Sequence, residues 1–322
     1  MQITNEEIEI LNRAIEILSK FCNHGAISRD TLVLFENLVV SAIDSSGDFI
    51  EQGSKHNPQF AYEIKNKGIE IKSYIGNKSS LELAIPDSIN GLPVTSIGYS
   101  AFEGMYIESV NLPDTLREIQ ARAFARCFNL KDIRVPSALS SIGGSAFSEC
   151  RSLKRICLPN GLERIDWCAF EDCINLENVV LPTSLKRLGN RSFSNTKISH
   201  IEVPGSVSTI PTKCFANNIF LKSVSIGHGV KVIEERAFYD TQISKLTIPQ
   251  SVHHLQASVI QSCIDNHLIQ IAILGMNTRI NVSKDSRTFP DGITIFCHPE
   301  SVTAQKGAIA GYRMRPLEEF LS

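Results

Sequence analysis

Nine cysteines and eight histidines are the side chains of this 322-residue sequence best suited to chemistry, and their spacing decides which chemistry they can do. Cys127, Cys150 and Cys173 recur every 23 residues, and Cys263 holds the same relative place farther on. A zinc site of local ligands needs a C-x-x-C pair or a close variant, and the sequence has none. A disulfide needs Cβ atoms about 3.5–4.5 Å apart, closer than in-register strands bring equivalent residues, and an odd cysteine total also points to reduced thiols. Cys157 and Cys168, with His200 two strands along, could in principle pair a thiol with an imidazole. Such a nucleophile also needs an orienting third group and an enclosed pocket, and a flat stack of strands offers little enclosure. His253 and His254 are adjacent, so on an extended segment they point to opposite sides. They are expected as one exposed and one partly buried histidine, not as joint metal ligands. No phosphate loop, dinucleotide fingerprint, zinc-protease helix or serine-hydrolase elbow accompanies these residues. The expectation is therefore a non-enzyme with no catalytic residue, cofactor or metal.

The cysteine spacing is one trace of a period that organises most of the chain. From about Ile85 to Cys263 the sequence repeats every 22 or 23 residues, most clearly from Leu130 to Cys150. A phenylalanine marks each turn at Phe102, Phe124, Phe147, Phe170, Phe193, Phe215 and Phe238, with Ile260 in the eighth place. Small residues precede it, and a proline row runs Pro86, Pro113, Pro136, Pro159, Pro182, Pro204 and Pro249, broken by Gly227. A fixed period of this length is the signature of a solenoid. Leu-x-x-Ile-x-Val in each repeat predicts one short strand, ended by the proline, with Ile133, Ile156, Val179, Ile201, Val224 and Leu246 turned inward. Copies of identical order must stack in parallel, because one turn alone cannot bury its apolar side. The cysteine slot, three residues after the marker, elsewhere holds Thr196, Asn218 and Thr241. The property these share is a small side chain able to hydrogen-bond the local backbone.

The pattern Leu-x-x-Ile-x-Val-Pro…Ile-Gly-x-x-Ala-Phe-x-x-Cys resembles the BspA-like leucine-rich repeat family from about Phe60 onward. The stretch Ile85-Pro-Asp-Ser-Ile-Asn-Gly91-Leu-Pro-Val94 resembles the usual entry into that family's array. The resemblance implies an α/β solenoid, a leucine-rich repeat right-handed superhelix with a parallel β-sheet face. It also implies proteins of adhesion or host interaction in microbes living with a host. Departures come late, at Gly227, at His253-His254 and in an insertion after Cys263.

Residues 1–46 are expected as an N-terminal helical hairpin. Ile8, Leu11, Ile15 and Leu18 form one apolar stripe, and Leu32, Phe35, Val39 and Ile43 lie in a second helix. Residues 47–58 read as a linker and 59–84 as a β-hairpin cap turning at Asn66-Lys-Gly68. Residues 85–290 form the repeat array. Residues 291–322 form a C-terminal cap whose helix has Pro299 at its start.

Between the buried strand positions lie outward ones that packing leaves free. The candidate partner-binding row is Asp132, Arg134, Arg155, Cys157, Asn178, Val180, His200, Glu202, Ser223 and Lys245. Charges of both signs surround a less polar centre at Cys157 and Val180, which suits a protein partner. A modest basic patch is expected from Arg117, Arg164, Lys186, Arg187 and Lys231, near Arg151, Lys154 and Arg191. The formal net charge is −2, and the patch lacks clustered aromatics, so nucleic acid is not the expected partner. No run approaches the ~18 apolar residues of a membrane span, and the acidic start has no basic n-region. The sequence as it stands reads as a cytoplasmic interaction protein, the alternative being a surface adhesin.

Overall fold

The computed structural model describes residues 59–76, 82–262, 269–281 and 287–321. The helical hairpin expected over residues 1–46, the linker 47–58 and Cys263 lie outside the described residues.

The turn from Leu130 to Cys150 shows how the repeat folds. Asp132–Arg134 is a strand whose middle residue, Ile133, is buried while its flanks face out. Pro136 has no N–H to continue the ladder, and its carbonyl accepts from Leu139 N at 3.2 Å as the chain bends. Ser141–Ile142 then forms a second strand. At the next corner a Cβ on Gly143 would sit 2.6 Å from Ala121 N, so two backbones meet where only glycine fits. The third side is a tight turn in which Ser145 (φ 54°) and Glu149 (φ 60°) bracket the buried Ala146 and Phe147. Left-handed backbone is disfavoured for residues with a Cβ. Cross-turn bonds hold it here, from Ser145 N to Trp167 O and from Glu149 N to Glu171 O, both 2.8 Å.

Each turn hydrogen-bonds to the same place in the next. On the first side the parallel register pairs Ser109 with Asp132, Arg155 with Asn178, His200 with Ser223 and Lys245 with Gln270. On the second side Glu118, Ser141, Arg164 and Arg187 follow one another. The phenylalanines pile into a column, with rings from Phe102 to Phe238 separated by 5.1–5.9 Å and tilted by no more than 10°. Ile133, Ile156, Val179, Ile201 and Leu246 are buried beside them. Val224, expected in the same row, is half-buried.

The second strand of each turn was not anticipated, for a physical reason. Alternation is recognisable over four residues or more, and these strands are two residues long with a single apolar side chain. Gly227, the gap in the proline row, also has a structural cause. Its N–H donates to Val203 O at 2.8 Å, a bond proline cannot make, and a Cβ there would lie 2.4 Å from Gly205 N.

At the start of the described array, Phe60–Lys65 pairs antiparallel with Gly68–Tyr74. The turn consists of Asn66 and Lys67, both at positive φ, which is the twist that tight hairpins require. Gly68 is not in the turn as expected. It opens the second strand, where a Cβ would lie 2.4 Å from Thr95 Oγ1. The hairpin joins the second sheet through Gly68–Tyr74, and the Phe60 ring meets Phe102, the first of the column, edge-on at 6.4 Å. At the far end Thr294–Cys297 is followed by a helix, Val302–Ile309, capped by Ser301, whose Oγ accepts from Ala304 N at 3.1 Å. Pro299 therefore precedes the helix by more than the sequence suggested. A further strand, Arg313–Pro316, extends the first sheet beside Thr294–Cys297. Met314, half-buried, is its one apolar inward residue, too little for periodicity to reveal.

Candidate interaction surface

The residues singled out for chemistry are mostly dispersed by the fold. Cys127, Cys150 and Cys173 are buried free thiols. Their Sγ atoms donate to the carbonyls of Phe102, Phe124 and Phe147, at 3.1, 3.2 and 3.1 Å, so each ties its turn to the marker of the turn before. Burial pushes the Cys127 thiol up to about 12 and raises Cys150 and Cys173 likewise, which makes them poor nucleophiles. Where the slot changes residue, the bond is kept by other means. Asn218 Nδ2 donates to Phe193 O at 2.9 Å and Phe215 O at 3.0 Å, while its Oδ1 accepts from Thr196 N at 2.6 Å and Thr196 Oγ1 at 2.7 Å. Asn218→Ala strands Thr196 N and Phe215 O, while Thr196 Oγ1 and Phe193 O keep only their mutual 3.4 Å bond, and the expected loss is about 3 kcal/mol in denaturant unfolding. Asn218→Asp should lose nearly as much, because it keeps the acceptor and removes both donors.

Cys157 and Cys168 do not face one another. Cys157 follows the first-side strand Arg155–Ile156 and is exposed, whereas Cys168 lies at the corner leading into the phenylalanine turn, at φ 53°. His200 Nδ1 is 2.8 Å from Ser223 Oγ and serves a neighbouring strand. His253 is exposed and His254 partly buried, as the sequence suggests. In the short strand His254–Leu255 only Leu255 is buried, and both histidines belong to the lining of one open cavity of about 700 Å³ with Gln256, Asn277 and Arg279. Among the described residues there is no cluster of three or more His, Cys, Asp or Glu side chains that could hold a metal.

The expected basic patch is divided among the sides of the turn. Arg164 and Arg187 are register neighbours on the second sheet. Arg164 lies 3.8 Å from Glu118 and 3.4 Å from Asp166, and Lys186 lies 2.6 Å from Glu163, so much of that charge is matched. Arg151 instead stacks over the Phe128 ring at 5.1 Å, and Arg191 belongs to the phenylalanine side.

The outward row of the first sheet is brought together. Asp132, Arg134, Arg155, Cys157, Asn178, Val180, His200, Glu202, Ser223 and Lys245 are all exposed. Val180 is 79% exposed at its centre, an apolar side chain that no described residue covers. Arg134 makes a loose ion pair with Asp114 at 3.3 Å, both side chains 69% exposed, an arrangement that contributes little. Asp132, Arg155 and Glu202 make no ion pair among the described residues. The free face has a boundary at Lys245, whose Nζ lies 5.7 Å from the Phe320 ring. Phe320 packs on Phe296 at 5.3 Å, so the C-terminal segment lies over the far end of this face.

A second feature escaped the sequence reading. The loops leading into the first sheet expose Tyr106, Phe128, Ile174, Ile219 and Phe220. Lys197 Nζ lies 6.0 Å over Phe220 as Arg151 lies over Phe128. These residues follow the cysteine slot, where the loop requires nothing apolar, and that mismatch is the signal by which they could have been found.

The geometry described above has known counterparts. A family model for the BspA type leucine-rich repeat region, in 6 copies, matches residues 67–179 and 153–266, well over half of the chain. The chain belongs to the BspA-type leucine-rich repeat family. A leucine-rich repeat protein of T. pallidum is 29% identical over 54% of this chain and 89% of its own, with a TM-score of 0.51. One from Bacteroides ovatus is 27% identical over 78% of this chain and 71% of its own, with a TM-score of 0.56. A leucine rich cell surface protein from Faecalibacterium prausnitzii, 20% identical over 80% of this chain and 73% of its own, has the same fold at a TM-score of 0.54. No curated protein matches the chain. Leucine-rich repeat solenoids of this kind are typically non-catalytic scaffolds, and the repeat suggests a protein-interaction module. None of the described helices is long and apolar enough to cross a membrane.

Proposed function

We propose that this BspA-type chain is a non-enzymatic protein-binding module that presents the first-sheet face, from Asp132 to Ser223 with Lys245 at its border, to a protein partner. The observation that carries this reading is the bare Val180 at the centre of a face that also carries Asp132, Arg155 and Glu202, charges with no ion-pair partner among the described residues. An apolar centre within a polar rim is the usual anatomy of a recognition patch, and the exposed Phe128, Ile174 and Phe220 extend it along one edge. The hairpin Phe60–Tyr74 and the segment from Thr294 to Leu321 serve as the caps that keep a repeat core from water. Free cysteines throughout the described residues support a reducing, cytoplasmic setting. A role in host interaction is part of this proposal and rests on the family resemblance alone. The alternative, a surface adhesin, has the F. prausnitzii cell surface protein in its favour through shared fold alone.

The double substitution Arg155→Glu with Glu202→Lys reverses two charges on exposed side chains, so thermal unfolding should stay within about 0.5 kcal/mol of the parent. Affinity capture with the parent chain and the double variant tests the face. Proteins retained by the parent should be lost by the variant and kept by Lys231→Glu, which alters another side. Retention of every partner by the double variant rules this face out.

A further inference from the structure

We propose that Arg191, Lys213 and Arg236 form a binding site for a tetrahedral oxyanion, a phosphate or sulfate group carried on a ligand. The three cations hold the same place in consecutive turns, the left-handed residue that opens the phenylalanine turn, with φ of 56°, 56° and 55°. The ladder fixes their order: Arg191 N donates to Thr212 O at 3.1 Å and Lys213 N to Glu235 O at 3.0 Å. Successive rungs of such a ladder lie about 4.7–4.9 Å apart, and like charges on adjacent rungs repel. The equivalent residues beyond the trio are neutral, Cys168 on one side and Ser258 on the other. Repulsion is only partly relieved. Arg191 has Glu171 at 3.4 Å and Arg236 has Glu235 at 3.4 Å, while Lys213 has no carboxylate partner among the described residues. Arg236 Nε is buried and, although Glu235 Oε1 lies 3.4 Å from it, makes no hydrogen bond among the described residues; its guanidinium is held 5.8 Å from the Tyr239 ring.

These cations border an open cavity of about 320 Å³ to which Ser194, Asn217 and Tyr239 add neutral hydrogen-bonding groups, while the one carboxylate on its lining, Glu171, is paired with Arg191. Donors spread over three rungs favour an acceptor with oxygens pointing in several directions. A tetrahedral oxyanion has that form, whereas a planar carboxylate offers two oxygens to one bidentate partner. The site lies on the phenylalanine side and does not depend on the proposed partner-binding face.

Calorimetric titration of the full chain with inorganic phosphate, inorganic sulfate and acetate, at constant ionic strength, tests it. Saturable binding of phosphate or sulfate but not acetate is expected, and the two separate titrations tell which ester the site prefers. Lys213→Gln should weaken that binding about tenfold, the scale of one charge-assisted bond. Lys213→Arg should restore it, and Lys222→Gln, on a loop outside the cavity, should leave it unchanged. Dilution heats alone with both tetrahedral anions, acetate binding as tightly as they do, or parent-like affinity in Lys213→Gln would each overturn the proposal.

Discussion

Phe170→Ala is expected to cost about 3–5 kcal/mol in denaturant unfolding, the range for removing a fully buried aromatic side chain. The Phe170 ring lies between Phe147 at 5.3 Å and Phe193 at 5.1 Å, stacked nearly parallel to both and without solvent exposure. Removing it opens a gap between two rings. The surrounding backbone cannot close that gap, because Phe170 N is bonded to Ser192 O at 2.9 Å and Phe147 N to Ala169 O at 2.8 Å. Position in the array sharpens the prediction. The stability of a repeat protein is close to a sum over turns and their interfaces, so a defect in the middle weakens two interfaces and should broaden the transition or split it. The same change at Phe238, which stacks on Phe215 alone among the rings, should cost less and leave the transition sharp. A shift below about 1 kcal/mol at Phe170 would mean that the turn collapses onto the cavity, against the stiffness of packed interiors.

The phenylalanine column was legible before any coordinate because a buried ladder demands the same side chain at the same place in every turn. Phe124, Phe147 and Phe170 repeat for that reason, and the inward Ile133 and Ile156 with them. The cysteine slot was legible for the same cause. Thiol, hydroxyl and amide can each satisfy one carbonyl, and Asn218 shows how far the local solution can vary around a constant need. Features that one turn does not share with the next were harder to see. Ser141–Ile142 is too short to alternate, and Trp167, 55% exposed, lies over Gly144 only because glycine there leaves room for its ring. Asp132, Arg155 and Asn178 are exposed where the alternation puts them, because a buried strand residue leaves its neighbours outward. The cover that Phe320 lays over the end of that face was not legible. It depends on a chain reversal after Pro316 that no repeat encodes.

Raising the pH from 8 to 10 should destabilise the fold far more than the sum of its surface charges suggests, and the buried thiols are the reason. An unfolded cysteine ionises near its ordinary value of 9.0, while burial pushes Cys127 and Cys214 up to about 12 and raises Cys150 and Cys173 as well. The unfolded chain therefore holds fewer protons than the folded one above pH 9, so stability must fall as pH rises. The contribution is fully present below about pH 8 and is lost between 9 and 12. At pH 10 each thiol that stays protonated in the fold costs about 1.4 kcal/mol relative to neutral pH. Lys65 and Lys72, raised by their hydrogen bonds to Glu70, act in the same direction and must be separated from the thiols. The triple variant Cys127→Thr, Cys150→Thr and Cys173→Thr does so, since threonine already fills this slot at Thr241, where its hydroxyl bonds Phe238 O at 3.2 Å. Guanidinium unfolding of parent and variant at pH 7.5 and pH 10 should show the variant losing about 4 kcal/mol less than the parent over that interval. Parallel losses in the two chains would mean that Cys127, Cys150 and Cys173 can ionise without unfolding, which a slot bonded to the carbonyls of Phe102, Phe124 and Phe147 does not permit.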